Sequence, residues 1–182
     1  MLLQGPRLRL RPIAPTNAAS FAALNADPLA MRHFPTPLDR ATSDAALTNA
    51  LAHHAEHGFG AQAVERHDGV LLGFLGLAQV QFAARFAPAV EIGWRFLPAH
   101  WGQGYAEEAA RLTLAHGFGP LGLAEIVSFT VPANQPSWRL MQRLGMRADG
   151  GFDHPRVPEG HPLRPHLLYR LARADWVARL FD

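Results

Sequence analysis

Residues 91–114 read EIGWRFLPAHWGQGYAEEAARLTL, and the fold turns on how that run is divided. Glu91 to Leu97 has the aromatic and β-branched content of a strand, and Pro98 ends it by removing a ladder donor. Gly102, Gln103, Gly104 and Tyr105 make a turn. From Ala106 helix formers take over, with Ala109, Leu112 and Ala115 at helical spacing. A flexible turn opening a helix leaves backbone N–H groups unpaired at the positive end of the helix dipole. Such a place holds a phosphate or pyrophosphate without needing a basic side chain. The competing reading is a helix start whose glycines serve tight packing alone.

Two nucleotide motifs do not fit this run. Gly102 and Gly104 begin a dinucleotide fingerprint, but Glu107 stands at its third glycine position. A phosphate-binding Walker loop needs a Lys, and the chain has none.

Around this centre the chain reads as alternating short elements. Arg7 to Ile13 alternates Arg with apolar residues, a half-buried strand whose Arg face is solvated in preference to being a nucleic-acid strip. Thr16 or Asn17 caps a helix through about Asn25, and Met31 to Pro37 (MRHFPTP) is a proline-broken loop. Asp39 to His57 is a second helix, closed by Gly58. Its His53 and His57 share a face, but the glutamate of a zinc-binding HExxH is missing, so a polar helix face is the better account and no metal is expected. Gln62 to Arg66 and Val70 to Val80 form a hairpin about Asp68-Gly69. Gln81 to Pro88 connects to the central strand. Ala124 to Val131 is another buried strand, Asn134 to Ser137 caps a helix through Leu144, and Gly150 to Pro165 is a loop. His166 to Leu171 is the last strand, and Trp176 with Leu180 is spaced like one helix face.

Composition bounds the function. A length of 182 residues suits a single domain, and 48% hydrophobic residues argue for a packed core. All seventeen Lys-plus-Arg positions are Arg, which lifts the pI to about 9.9 although the formal charge is only +2; this is no nucleic-acid signal. The absence of cysteine removes disulfides and thiol nucleophiles. With no long apolar run and no signal-peptide core, a cytoplasmic protein without membrane contact is expected, as a monomer or homodimer.

The glycine turn resembles the acyl-coenzyme A signature of the GNAT superfamily of N-acetyltransferases: Arg or Gln, two variable residues, Gly, one variable residue, then Gly or Ala. Trp101-Gly102-Gln103-Gly104-Tyr105-Ala106 fills it, with Trp101 where Arg or Gln usually stands. EIGW followed by HWGQGYAEEA is similar to the RimJ/RimL-type branch, where an aromatic at that point is usual and where protein N-terminal amines and some other amines are acetylated. A second segment, Asn134 to Met146, resembles the family's later motif. The resemblance implies one α/β (α+β) domain over residues 1–182, with a mostly antiparallel mixed sheet, helices on both faces and a V-shaped cleft between its two central strands. It further implies acetyl-coenzyme A as co-substrate. The backbone of Trp94 and Phe96 and the side chain of Asn134 would meet the pantetheine arm, and Gly102 to Ala106 the pyrophosphate.

That chemistry is attack of a neutral amine on a thioester, which needs a base, a donor to the carbonyl and help for the departing thiolate. The Tyr that many relatives use as acid is replaced here by Met141. Ser137 is the branch's alternative for bonding the sulfur, against a plain role in the first helical turn. Glu91 is the candidate base, against a structural carboxylate paired with an Arg. His154, His161 and His166 border the loop that usually frames the acceptor. The reading from a different class is a non-catalytic acyl-coenzyme A sensing module.

Overall fold

The computed structural model describes residues 1–178. Eight strands form a sheet in the order β1-β2-β3-β4-β5-β6-β8-β7. They are β1 (Leu3–Gln4), β2 (Leu8–Pro12), β3 (Ala61–Arg66), β4 (Leu71–Gln79), β5 (Val90–Phe96), β6 (Glu125–Thr130), β7 (Arg147–Asp153) and β8 (Pro165–Ala172). β5 and β6 run parallel, whereas β1–β2, β2–β3, β3–β4, β6–β8 and β7–β8 are antiparallel. The helices are α1 (Ala18–Ala26), α2 (Arg40–His57), α3 (Tyr105–Phe118), α4 (Gln135–Arg143) and α5 (Arg173–Ala178). This is the α/β architecture with a mostly antiparallel mixed sheet that the sequence led us to expect.

The chain packs as two compact units. The first holds Met1–Ala78 and Trp94–Thr113. In β2 the period of two buries Leu8 and Leu10 completely, while Arg9 and Arg11 reach Glu65 of β3 at 2.9 and 2.7 Å. The alternating arginines are thus spent on a carboxylate in the neighbouring strand. Behind them Ile13, Phe21, Leu24, Leu47, Ala63 and Phe74 form a core, with Phe21 edge-on to Phe74 at 5.0 Å. α2 starts where Asp39 accepts from Thr42 N at 2.7 Å and stops at Gly58, whose φ of 75° suits glycine. Gly73 of β4 needs its missing side chain, because a Cβ there would lie 2.3 Å from Arg95 O.

The second unit holds Gln79–Gly93 and the described residues from Leu114 on. Phe86, Val127 and Leu168 are its buried centre, with Phe82, Phe129 and Phe152 packed around them. α5 seats Trp176 6.0 Å from Phe118, so the expected terminal helix is present, although Leu180 lies outside the described residues.

Three details correct the sequence reading. The segment from Gly150 is not all loop, because β7 runs to Asp153 along β8, with a register shift between Ala148 and Gly151. Its Asp and two Gly hide it from any propensity argument. β1 is two residues long, too short to show a period. Asn134 does not cap α4 through its side chain, and its Nδ2 donates to Thr130 Oγ1 at 3.0 Å instead. No helix among the described residues is long and apolar enough to cross a membrane.

Candidate functional site

In the first unit the turn before α3 is open. Gly102, Gln103 and Gly104 are exposed, and the two glycines have φ of 72° and 77°. Their conformation aims consecutive N–H groups outward. From Gly102 through Ala106, these donors meet no acceptor among the described residues. Free donors at the start of a fourteen-residue helix are what an anionic group requires.

Trp101 explains how the turn is held. Its indole Nε1 donates to Phe96 O at 2.8 Å, and the Arg32 guanidinium lies 5.0 Å from the centre of its ring system. The indole therefore fixes the turn to the end of β5 and occupies one of the two lone pairs of the Phe96 carbonyl. Phe96 is buried, and Trp94 is half-buried.

A basic residue that sequence reasoning left on a solvated strand face also reaches the turn. Arg7 Nη1 donates to Gln103 O at 2.9 Å and its guanidinium stands 4.8 Å from the Tyr105 ring centre. Its Nε is held by Glu108 at 2.6 Å. A Cβ on Gly104 would lie 3.4 Å from Arg7 Nη2. The alternation of residues 7–12 gave the strand but carried no signal of this long-range meeting.

Arg95 was also unmarked in the sequence. Burial pushes its guanidinium down to about 10. Nη1 contacts Met31 Sδ at 3.0 Å, and the Phe34 ring centre is 5.0 Å away. Arg95 has no carboxylate partner among the described residues. The proline-broken loop thus carries two side chains, Met31 and Phe34, that contact a half-buried cation.

The second unit holds the titratable groups. Glu91 is opposite Val127 in the parallel register, and Ser128 Oγ secures the same strand by donating to Ile92 O at 2.9 Å. Glu91 is partly exposed, and the protein packed around its carboxyl group pushes it up to about 7, opposed by the charge of Arg156. It makes no hydrogen bond or ion pair among the described residues, so the structural alternative, a pairing with Arg, is not what is found. Gly93, two residues on, is exposed, and a Cβ there would meet nothing within 4 Å.

His154 and His166 come together, ring centres 4.9 Å apart, within a group of rings formed by Phe82, Phe129 and Phe152. Burial lowers both histidines, His154 to about 4, so neither is a cation at neutral pH. His161 does not join them. Its Nδ1 accepts from Leu163 N at 3.1 Å and serves its own loop. Asn134 and Ser137 occupy the start of α4, where Ser137 N donates to Asn134 O at 3.1 Å and the Ser137 side chain forms no hydrogen bond among the described residues. Met141 is buried and offers no proton. The His53 and His57 rings lie 4.5 Å apart and tilted, with His53 Nδ1 on Phe59 O. Among the described residues no group of three or more His, Cys, Asp or Glu is placed to hold a metal.

Residues 7–147 match the family model described as an acetyltransferase (GNAT) domain. An uncharacterized N-acetyltransferase, YnaD of Bacillus subtilis (strain 168), is 37% identical over 86 residues, which are 47% of this chain and 50% of that protein. The chain thus spans about half the length of the curated relatives it matches. Among solved structures, an acetyltransferase (GNAT family) from Bacillus anthracis superposes with a TM-score of 0.78 over 96% of this chain and 99% of its own, at 24% identity, and speaks for the fold alone. Mycobacterium smegmatis RimJ in complex with CoA-disulfide has a TM-score of 0.71 and 25% identity, covering 98% of this chain and 93% of that one.

Proposed function

The chain belongs to the GNAT acetyltransferase family, and from that premise we propose that it moves an acetyl group from acetyl-coenzyme A to a primary amine by direct attack. The observation that carries the donor's identity is the row of unpartnered N–H groups from Gly102 to Ala106 at the start of α3. They would hold the pyrophosphate, with Arg7 beside them adding positive charge and Gln103, Tyr105 and Trp101 shaping the turn. Trp94 and the remaining polar groups of Phe96 would pair with the pantetheine arm, and Asn134, whose Oδ1 is not used by Thr130, would accept from one of its amides.

The reaction needs the amine neutral. Glu91, with a carboxyl group near 7 and no paired arginine, suits a group that takes a proton from an incoming ammonium at neutral pH. The nitrogen then attacks the thioester carbon, the tetrahedral oxyanion collapses as the carbon–sulfur bond breaks, and the proton left on nitrogen passes to the departing thiolate, giving neutral amide and free thiol. Backbone N–H groups near Trp94 to Phe96 would steady the oxyanion. The half-buried Ser137 hydroxyl would donate to the leaving sulfur. A sensing module would have no use for a carboxyl group tuned in this way, which favours the enzyme.

We extend the reading to a single functional domain over residues 1–182, in the RimJ/RimL-type branch and in the cytoplasm, with a protein N-terminus or a small-molecule amine as acceptor. The Trp101 staple supports the branch, since it gives the aromatic at that position a structural task. The test is release of free thiol from acetyl-coenzyme A with a panel of amines. Turnover with at least one amine supports the proposal, whereas coenzyme binding without turnover on any acceptor would favour a sensor.

A further inference from the structure

The strand register of the second unit puts a set of side chains on one side of the sheet. Directly paired residues face the same way, and so do residues two apart along a strand. Glu91 pairs with Val127, so Glu91 and Gly93 share a side with Val127 and Phe129. Phe129 pairs with Leu168, and Phe152 with His166, which adds Leu168, His166 and Phe152 to that side. Phe129 and Phe152 meet edge-on at 5.5 Å, and His154 lies 5.8 Å from Phe129.

This layer is not a sealed core. Val127 and Leu168 are fully buried at its base, yet Phe82, Phe129, Phe152, His154 and His166 all keep part of their surface in solvent. Above Gly93 the space is open.

Its charges are equally particular. Glu125, Asp149, Asp153 and Asp175, the other carboxylates of β6, β7 and α5, are each closed by an arginine: Arg170, Arg85 with Arg170, Arg164 and Arg147. Arg156 makes no ion pair among the described residues. Its Nη2 donates to Gln81 O at 2.8 Å, and its guanidinium lies 5.7 Å from the Phe82 ring centre. It is also the arginine whose field acts on Glu91. An acceptor arriving here meets ring surface, the unpaired carboxyl of Glu91, and a guanidinium without an ion pair that rests on the same ring group through Phe82.

Resting on the acetyltransferase reading, we infer that the acceptor is a free α-amino acid with an apolar or aromatic side chain, its amine at Glu91, its carboxylate on Arg156 and its side chain against Phe129, Phe152 and His154. The amine and carboxylate of an α-amino acid are separated by one carbon, which suits two opposite charges held near each other. A polyamine brings two or more positive charges to Arg156 and finds no second open carboxylate on these strands. A peptide N-terminus brings the amine without the adjacent carboxylate, and leaves Arg156 unanswered.

The experiment compares phenylalanine, phenethylamine, phenylalaninamide, a phenylalanine-initiated peptide and spermidine as acceptors for the full chain, before and after R156Q. Phenylalanine should exceed phenethylamine and the peptide in kcat/KM by about tenfold or more, the order of one charge-assisted contact. R156Q should remove that advantage through KM; because the same charge acts on Glu91, both acceptors are compared above the pH of that titration, where the ratio of phenylalanine to phenethylamine should fall to near one. Preference for spermidine or the peptide overturns the inference, as does an equal loss on phenylalanine and phenethylamine. Calorimetric titration of phenylalanine into the protein saturated with coenzyme A separates the two claims. If coenzyme A binds and no amine is acetylated, the acetyltransferase reading fails. Binding of phenylalanine, lost in R156Q, still sustains the amino-acid site, and no binding removes it.

Discussion

The indole Nε1 of Trp101 donates to Phe96 O at 2.8 Å, fastening the glycine turn to the strand that precedes it. The aromatic residue that replaces the motif's usual Arg or Gln thus has a task in this chain, anchoring the turn to the end of β5. Trp101→Phe keeps a ring and deletes the donor. We expect about 1 kcal/mol lower stability and a several-fold higher KM for the donor with kcat little changed. An unchanged donor KM would show that the staple does not position the turn.

Arg7 stands at the same turn from a different part of the chain. Because Glu108 takes one edge of its guanidinium and the other contacts Gln103 O, its aid to a bound pyrophosphate is electrostatic and screened by salt. Arg7→Met should raise the donor KM by about three- to tenfold at low ionic strength, and the gap should shrink as salt is added. Equal ratios at low and high salt would contradict that role.

Glu91 ties activity and stability to pH. With the carboxyl group near 7, kcat/KM should climb through that pH in the wild type, and Glu91→Gln should lack this limb as well as most of the rate. Stability moves the other way. The folded state holds a proton that the unfolded state has released between the ordinary value of 4.5 and about 7, so stability falls as pH rises through that window. Denaturant titrations from pH 4.5 to 8 should show Glu91→Gln gaining up to about 3 kcal/mol on the wild type. A constant difference across the range would mean that the carboxyl group is not perturbed.

Arg95 bears a cost of a different kind. Crowded by protein and without a carboxylate partner among the described residues, its guanidinium contacts the Met31 sulfur and the Phe34 ring. Arg95→Met keeps much of the volume and removes the charge, and should be neutral or more stable by about 1–2 kcal/mol in chemical denaturation. A loss of more than about 1 kcal/mol would show that the cation is better compensated than these contacts suggest.

Sequence reached some of this and not the rest, for physical reasons that differ by residue. Gly102 and Gly104 announced a turn, and the helix formers after them announced α3, because both are local properties of a short run. Asp39 and Gly58 likewise marked the ends of α2. β7 escaped because its partner β8, not its own Asp and Gly residues, makes it a strand. Alternation put Glu91 on the face opposite the buried Val90 and Ile92, but its lack of a paired arginine among the described residues depends on where every arginine settles. Arg7 and Arg156 escaped for the same reason: each reaches its site through the fold, as when Arg156 meets Gln81 across 75 positions of sequence. The histidines split in a way that composition does not reveal, with the His154 and His166 rings side by side and His161 turned into its own loop.

The central claim is that acetyl-coenzyme A is held by the N–H groups of the turn before α3, and calorimetric titration of acetyl-coenzyme A into the wild type and Gly104→Val tests it most directly. The open conformation at Gly104, with φ of 77°, is one a β-branched residue resists by about 1–2 kcal/mol, and the added side chain would stand where Arg7 and the pyrophosphate meet. The account predicts saturable one-to-one binding to the wild type and at least about tenfold weaker binding to a Gly104→Val protein that remains folded by circular dichroism. Equal affinity in the folded variant, or no binding to the wild type, would contradict it.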